Sequence, residues 1–502
     1  MTTPVQTSSQ SRIFAVRYGA GPGRPLEYDG RARATAVADP AGDLTPIREP
    51  DPYEFGKFRV VGKIRGAPGL VTTSLERRRR YGVSSWKKWK DASCPIDVHV
   101  NFGLCSSPDA HNDAELIDVF ERADISAYNA TDLGAIDEGQ NIPINETLPL
   151  SAEAYYQIDP QLRLTELNPS GVTREILDID ICDRVNCGNF CGAPSDGCGK
   201  IFALSVAAGG SPGLPADVIV SSDGGATWGK TNIDTLAVAS SPNHMACVGQ
   251  WLVVTSTASP YIHYALQSDI LANPGSETWY SNTSGINVAG TPNAIFAYAS
   301  SQVWVVGTGG YVYKYSDITG TPTIQTAGTV TSQNLNAIHG ADEDNIVAVG
   351  ASNAVIFTSD GGDTWQSVTG PAAGVVLNTV WVKDPDTWFI GTAGGALWYT
   401  NNAGANWTQI RFPGDNAGQV RAIKFNDTPS QTVGWMVHDT ATPSGRVLRS
   451  LDGGNNWDVL PKVGTGVTVD RWNDVALCND VNLAYVGGLA DNATDGTIAR
   501  VA

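Results

Sequence analysis

The stretch LNAIHGADEDNIVAVGASNAVIFTSDGGDTW, Leu335–Trp365, decides the reading of this chain, because it returns 42 residues later as LNTVWVKDPDTWFIGTAGGALWYTNNAGANW, Leu377–Trp407. Each copy has an apolar strand, a short turn, a strand ending in Val-Gly or Ile-Gly, a third strand, and an Asp/Gly turn that runs into Trp. The terminal phrase recurs as SSDGGATW at Ser221–Trp228, TSDGGDTW at Thr358–Trp365, TNNAGANW at Thr400–Trp407 and SLDGGNNW at Ser450–Trp457. A unit of about 40–50 residues that repeats along a chain marks a repeat architecture.

Weaker copies extend outward over Ile201–Trp228, Met245–Trp279, Ala294–Ile324, Arg421–Trp457 and Trp472–Val501, making seven units of which the first and last are incomplete. Short strands in groups of about four, with no helical period, predict a seven-bladed β-propeller. Asp223, Asp360 and Asp452 are expected to cap their own turns. Gly224, Gly225, Gly361, Gly362, Gly404, Gly453 and Gly454 supply the positive φ such turns need. Trp228, Trp365, Trp407 and Trp457 are expected to close the gaps between neighbouring sheets. Every such turn is read as a structural hairpin rather than a calcium or ligand site. The last unit lacks an outer strand, so circular closure needs an earlier segment, and ILDIDICD at Ile176–Asp183 is expected to supply it.

These repeats resemble the Asp-box families and, in the form VGxxGxVxxTxDGGxTW, the photosystem II assembly factor-like propellers, over about residues 176–502. The resemblance implies a propeller. It leaves function open, because Asp boxes occur in sialidases, glycosidases, sorting receptors and assembly factors alike.

The 502 residues call for at least two domains, and 54 Gly with 17% charged residues favour a turn-rich β protein. No run of 18 apolar residues exists, so no membrane insertion is expected, and MTTPVQTSSQSR lacks the apolar centre of a signal peptide. Residues 181–502 hold 13 Lys/Arg against 25 Asp/Glu, a net charge of −12, which disfavours nucleic acid or anionic lipid as a partner of that region.

Catalysis by the propeller is not expected. A sialidase-like site needs three convergent arginines, a Tyr nucleophile and carboxylates, whereas Arg184, Arg411, Arg421, Arg446, Arg449, Arg471 and Arg500 cluster late. Only Glu277 and Glu343 follow residue 180. His263, His339 and His438 sit in separate units without a metal or triad motif. Trp388 and Trp398 are read as packing residues in preference to glycan platforms.

Cys182, Cys187, Cys191 and Cys198 lie within 17 residues, in CDRVNCGNFCGAPSDGC. Two readings stay open for this cluster, a structural zinc held by four thiolates or two disulfides. Cys94, Cys105, Cys247 and Cys478 are expected to be buried thiols, with Cys94 and Cys105 close enough to pair. No other cofactor is expected.

Residues 1–50, rich in Gly, Pro, Ala and Arg, read as an arm. FRVVGKIRG (Phe58–Gly66) and LVTTSLERR (Leu70–Arg78) read as strands joined by the turn Ala67-Pro68-Gly69. SSWKKWKD (Ser84–Asp91) reads as a short helix with Trp86 and Trp89 on one face, and IDVHVNF (Ile96–Phe102) as a strand. Ala114–Thr131 and Glu146–Asp159 read as long strands.

Pro50–Arg78, Cys94–Gly103 and Phe120–Ala135 resemble, in order, the tail tube protein of long-tailed bacteriophages. That resemblance implies a β-sandwich with a helix, six copies closing into a ring, and rings stacking into a tube. On it the chain is a structural virion protein assembled in the host cytoplasm, with itself, tape measure and terminator proteins as partners and double-stranded DNA only in transit. The propeller would be displayed outside, as decoration or as a contact to host-surface glycans through multivalency. Asp124, Asp132, Asp137 and Glu138 would help a lumen repel DNA, and Arg77-Arg78-Arg79-Arg80 would pair with acidic groups of the next subunit.

The expected order is therefore an arm (1–50), a tail-tube β-sandwich (51–175), a closing strand with a Cys-rich junction (176–200) and a propeller (201–502), all-β throughout. The alternative is a non-viral assembly or scaffold factor that holds a protein with its propeller. A glycan-binding module or glycosidase comes third.

Overall fold

The computed structural model describes the chain except for residues 1–11, 18–20, 23, 25, 32, 35–43, 51–57, 66–70, 80–84, 92–94, 103–115, 126, 133–143, 161, 168–173, 183–199, 207–215, 237–239, 287–289, 440–444, 462–468, 479, 491–495 and 502. It forms two compact units, Met1–Gln161 with Thr428–Ser430, and Leu162–Asp427 with Gln431–Ala502.

The first unit is built on a nine-stranded antiparallel sheet. Its order is Glu27–Arg31, Arg12–Arg17, Ile96–Phe102, Leu116–Ile125, Ile144–Ala152, Val71–Arg79 and Arg33–Ala34, with Ala154–Ile158 beside Leu116–Ile125 and Asn129–Asp132 beside Ile144–Ala152. Two halves of the sheet meet where Leu150 and Ser151 pair with Ile125 and Asp124. Both halves feed one core, with Val98 and Phe120 from one and Leu75 and Leu148 from the other around Trp86. Helix Ser85–Asp91 delivers Trp86 to that core, and Trp89, three residues on, packs on the same face.

Four expectations change here. Arg12–Arg17 is an internal strand with Ile13 and Ala15 buried, so this part of the presumed arm belongs to the core. Phe58–Arg65 pairs with Leu44–Pro50 and not with Val71–Arg79, which lies between Ile144–Ala152 and Arg33–Ala34. Each long strand is broken, one between Ile125 and Asn129 and the other at Glu153. Arg77 pairs with Glu146 at 2.7 Å and stacks over Trp86 at 4.2 Å, so its charge is used inside its own unit rather than on a neighbour. Asp124 is exposed, while Asp137 and Glu138 lie outside the described residues.

The second unit contains seven four-stranded antiparallel sheets. Their first strands are Glu175–Ile181, Pro242–Val248, Pro292–Ala299, Leu335–Gly340, Leu377–Val382, Gln419–Phe425 and Val469–Leu477, here numbered as blades one to seven. Each packs against the first strand of the next blade, and that of blade seven against blade one, so the ring closes as a β-propeller. A short helix, Gln267–Ala272, interrupts blade two where none was expected.

Closure differs from the sequence reading. The outer strand of blade seven is Leu164–Glu166, with Leu164 opposite Val501, Thr165 opposite Arg500 and Glu166 opposite Ala499. Ile176–Ile181, the expected closing strand, instead lies innermost in blade one, because its residues are buried on both faces and an outer strand would expose one.

The Asp boxes have one geometry. In blade four Thr358 Oγ1 donates to Asp360 Oδ1 (2.7 Å) and accepts from the Gly362 N–H (2.9 Å), while Asp360 accepts from Thr364 N–H and Oγ1 at 2.8 and 2.6 Å. Ser221 with Asp223, Thr400 with Asn402, and Ser450 with Asp452 repeat it. The second turn glycine has φ of +83°, +97°, +80° and +95° at Gly225, Gly362, Gly404 and Gly454. A Cβ at Gly454 would stand 2.7 Å from Phe389 of the preceding blade, so the turn is wedged as well as bent. Trp365 and Trp457 are buried between blades, and Trp228 and Trp407 half-buried there.

Cys182 forms a disulfide with Cys247, which ties blade one to blade two. Cys182 therefore supplies no thiolate to a zinc site, and Cys247 is not the free thiol expected. Cys478 is also disulfide-bonded. Cys187, Cys191 and Cys198 lie outside the described residues, as do Cys94 and Cys105.

A candidate binding channel

All seven first strands carry a β-bulge at the same place, between Ile176 and Asp178, Pro242 and His244, Pro292 and Ala294, Leu335 and Ala337, Leu377 and Thr379, Val420 and Ala422, and Trp472 and Asp474. The extra residue is Asn in five blades, Arg421 in blade six and Leu177 in blade one. A bulge frees one residue from the ladder and re-aims its side chain. Here the Asn amides reach the next blade. Asn243 donates to Pro292 O, Asn293 to Leu335 O (2.8 Å), Asn336 to Leu377 O (3.1 Å), Asn378 to Val420 O (3.4 Å) and Asn473 to Ile176 O (2.7 Å). The ring is thus stitched from blade to blade around its axis.

The first strands surround a cavity of about 400 Å³, within the size range of ligand pockets. Its walls follow from the third and fifth residues counted across the bulge. Blades three, four and five place Phe296, His339 and Trp381 in register, and these form an aromatic band, with ring centroids 5.1 Å apart for Phe296 and His339 and 3.9 Å for His339 and Trp381. His339 Nδ1 accepts the Val382 N–H at 3.1 Å, and Trp381 Nε1 donates to Gln431 at 2.8 Å.

Blades six, seven, one and two line the cavity with Lys424, Asp474, Asp178, Asp180 and His244. Lys424 Nζ lies 2.8 Å from Asp474, and Asp474 and Asp178 hydrogen-bond to each other. Asp178 also accepts the Met245 N–H at 2.7 Å, and Asp180 accepts the Cys247 N–H at 3.2 Å. Burial pushes Asp474 up to about 7, opposed by Lys424 and reinforced by the charge of Asp178. Burial raises Asp178 as well. For Lys424, burial acts to lower the ammonium, but Asp474, Asp180 and Asp178 outweigh it and hold the group protonated. Desolvation lowers His244, which lies 3.3 Å from Asp178, below the usual histidine range. Burial thus favours one shared proton between the two carboxyls, beside the Lys424 ammonium.

The other sequence candidates lie apart from this channel. His263 is fully buried between Thr235 and Ser256, and burial pushes it down to about 4. His438 is buried against Phe412. Trp388 is buried, with Nε1 on Pro385 O, and Trp398 is half-buried. His339 and Arg421 line the channel but were not assigned to a site, and the other channel residues were missed, although a signal was present. The phrases PNHM, PNAI, LNAI, LNTV, VRAI and WNDV recur at Pro242, Pro292, Leu335, Leu377, Val420 and Trp472, with the bulged residue second in each.

Among known families, the model described as sortilin, neurotensin receptor 3 (Sortilin-Vps10) matches residues 353–478. A xyloglucanase of Paenibacillus sp is 28% identical over 144 residues, covering 23% of this chain and 14% of that protein. The chloroplastic photosystem II stability/assembly factor HCF136 of Arabidopsis thaliana is 26% identical over 128 residues, covering 24% and 30%. The chain thus spans less than a third of either curated relative. A solved structure, YCF48 bound to D1 peptide, overlaps 68% of this chain and 94% of its own at 15% identity and a TM-score of 0.47. The propeller is similar to those of photosystem II assembly factors. These findings overturn the virion keywords, the ring, tape measure and terminator partners, and the virion localisation expected from the N-terminal phrases. The named curated relatives are a bacterial xyloglucanase and a chloroplastic assembly factor, neither of them viral.

Proposed function

We propose that this chain is a non-catalytic assembly or scaffold factor that holds a segment of another protein in the propeller channel. The observation that carries the reading is the two-sided lining, with an aromatic band on blades three to five facing carboxylates and a lysine from blades six to two. Such a surface offers apolar contact area and a few fixed polar groups, the make-up of a binding site. The 26% identity to an assembly factor over 128 residues supports it.

Hydrolysis of glycans is disfavoured by the same residues. Retaining and inverting glycosidases hold two carboxyls roughly 5–9.5 Å apart with substrate between them. Asp178 and Asp474 are instead bonded to each other, and Asp474 is engaged by Lys424. The test is to probe the full chain on an array of immobilised peptides, alongside a reducing-sugar assay on xyloglucan. Saturable peptide binding that drops in a Phe296→Leu variant is the expected result. Release of reducing sugar, or no peptide binding at all, would sink the reading.

A further inference from the structure

The channel's chemistry also narrows what it can hold. We infer that the segment it accepts is basic, with an arginine or lysine side chain lying between the aromatic band of Phe296, His339 and Trp381 and the carboxylate of Asp180. This rests on the binding reading above and gives it a ligand class.

Three observations select a cation. The faces of aromatic rings carry negative potential and attract cations within about 6 Å, and here the band comes from three consecutive blades at one level of the cavity. At the same level of the bulge register stand Asp180 of blade one and Lys424 of blade six. Lys424 is bonded to Asp474 and reaches Asp180 only through space, whereas the hydrogen bonds of Asp180 come from backbone N–H groups, those of Ile181 at 2.9 Å and Cys247 at 3.2 Å. Those bonds leave its negative charge without a cation bonded to it.

The wider field has the same sign. The second unit is strongly acidic, and the cavity wall adds Asp427 and the proton-sharing pair Asp178–Asp474, one negative charge between them, to Asp180 against Lys424 and Arg421. Arg421 is itself held by Asp439 at 2.7 Å. A wall of one sign focuses potential into the cavity and draws in the opposite charge. An acidic segment would meet like charge on one side and ring faces on the other, and neither compensates it.

The test selects binders to the full chain from a random peptide-display library. The tightest are then resynthesised with each arginine replaced by citrulline and each lysine by norleucine, and affinities are measured by calorimetry. Asp180→Asn removes the charge and keeps one acceptor oxygen for the Cys247 N–H, at the loss of the bond from the Ile181 N–H, and Phe296→Leu thins the aromatic band. The expected result is enrichment of basic peptides, with a loss of about tenfold or more on neutralising one residue and a comparable loss in either variant. Enrichment of acidic or uncharged peptides, or indifference to citrulline and norleucine, overturns the inference and leaves the protein-holding reading in place. No enrichment of any peptide overturns both.

Discussion

Asp178 and Asp474 hydrogen-bond to each other across the seam between blade one and blade seven, and each also accepts a backbone N–H from the following blade, Met245 and Ile179 respectively. The pair thus joins the two ends of the ring by a bond that needs a proton. Burial raises both groups, Asp474 to about 7. The folded protein therefore retains a proton that the unfolded chain releases above about pH 4, and the stabilisation fades as pH rises through about 7. Asp178→Asn supplies the same donor and acceptor without titrating. Its melting temperature is expected to fall less between pH 6 and 8 than that of the parent. An unchanged slope in thermal melts across that range would show that the pair is not the titrating element.

The bulge amides carry a second expectation. Asn336→Ala removes the bond to Leu377 O and leaves a carbonyl of a buried residue without its side-chain partner. The cost is expected to be about 1 kcal/mol, read by urea denaturation. A change indistinguishable from zero would mean that water replaces the amide at no cost.

Cys182–Cys247 closes a loop of 65 residues between adjacent blades. On the chain-entropy account its removal by paired Cys→Ser substitution costs about 4 kcal/mol. Denaturation of the double variant, compared with the parent under non-reducing conditions, measures it. A loss well under about 1 kcal/mol would show that the blade contacts already restrict the unfolded chain.

In the blade-four Asp box, Thr358 is buried and its hydroxyl both donates and accepts. Thr358→Val is expected to destabilise by about 1–2 kcal/mol, with the Gly362 N–H orphaned. Hydrogen bonds from Thr364 and Thr358 hold Asp360 down to about 2. Its contribution is therefore present above about pH 4 and lost as pH falls toward 2. An Asp360→Asn variant should lose less on acidification than the parent, and an equal loss in acid-unfolding curves would exclude this carboxylate as a source.

Much of the propeller was legible in the sequence because its turns are chemically specific. A Ser or Thr two residues before Asp or Asn, then a glycine that must take positive φ, leaves few alternatives. The channel was harder to read. Asn336 and Asn378 occupy a repeated place, yet Asn in a strand ordinarily signals a strand end, and only the bulge shows why it recurs. Leu164–Glu166 has three residues and no pattern to mark it, whereas Ile176–Ile181 alternates well and lies nearer the first repeat. The Cys182–Cys247 pair escaped because spacing groups Cys182 with its sequence neighbours, while the ring brings blade two to it. In the first unit, Arg12–Arg17 sits among residues whose Gly, Pro and Arg content suggests disorder, and its place in the sheet depends on partners about 85 residues away.

The pairing of Leu164–Glu166 with Ala499–Val501 has a consequence during synthesis. The ribosome makes the first of these strands roughly 330 residues before the second, a delay of roughly 20–70 s at ordinary elongation rates. Through that interval six blades can form in order while the outer strand of the seventh, already made, waits for the rest of its blade with its edge unpaired. The ring closes only once Ala499–Val501 has been made, so a nascent chain stalled inside the seventh blade is open at the seam and exposed to proteolysis there.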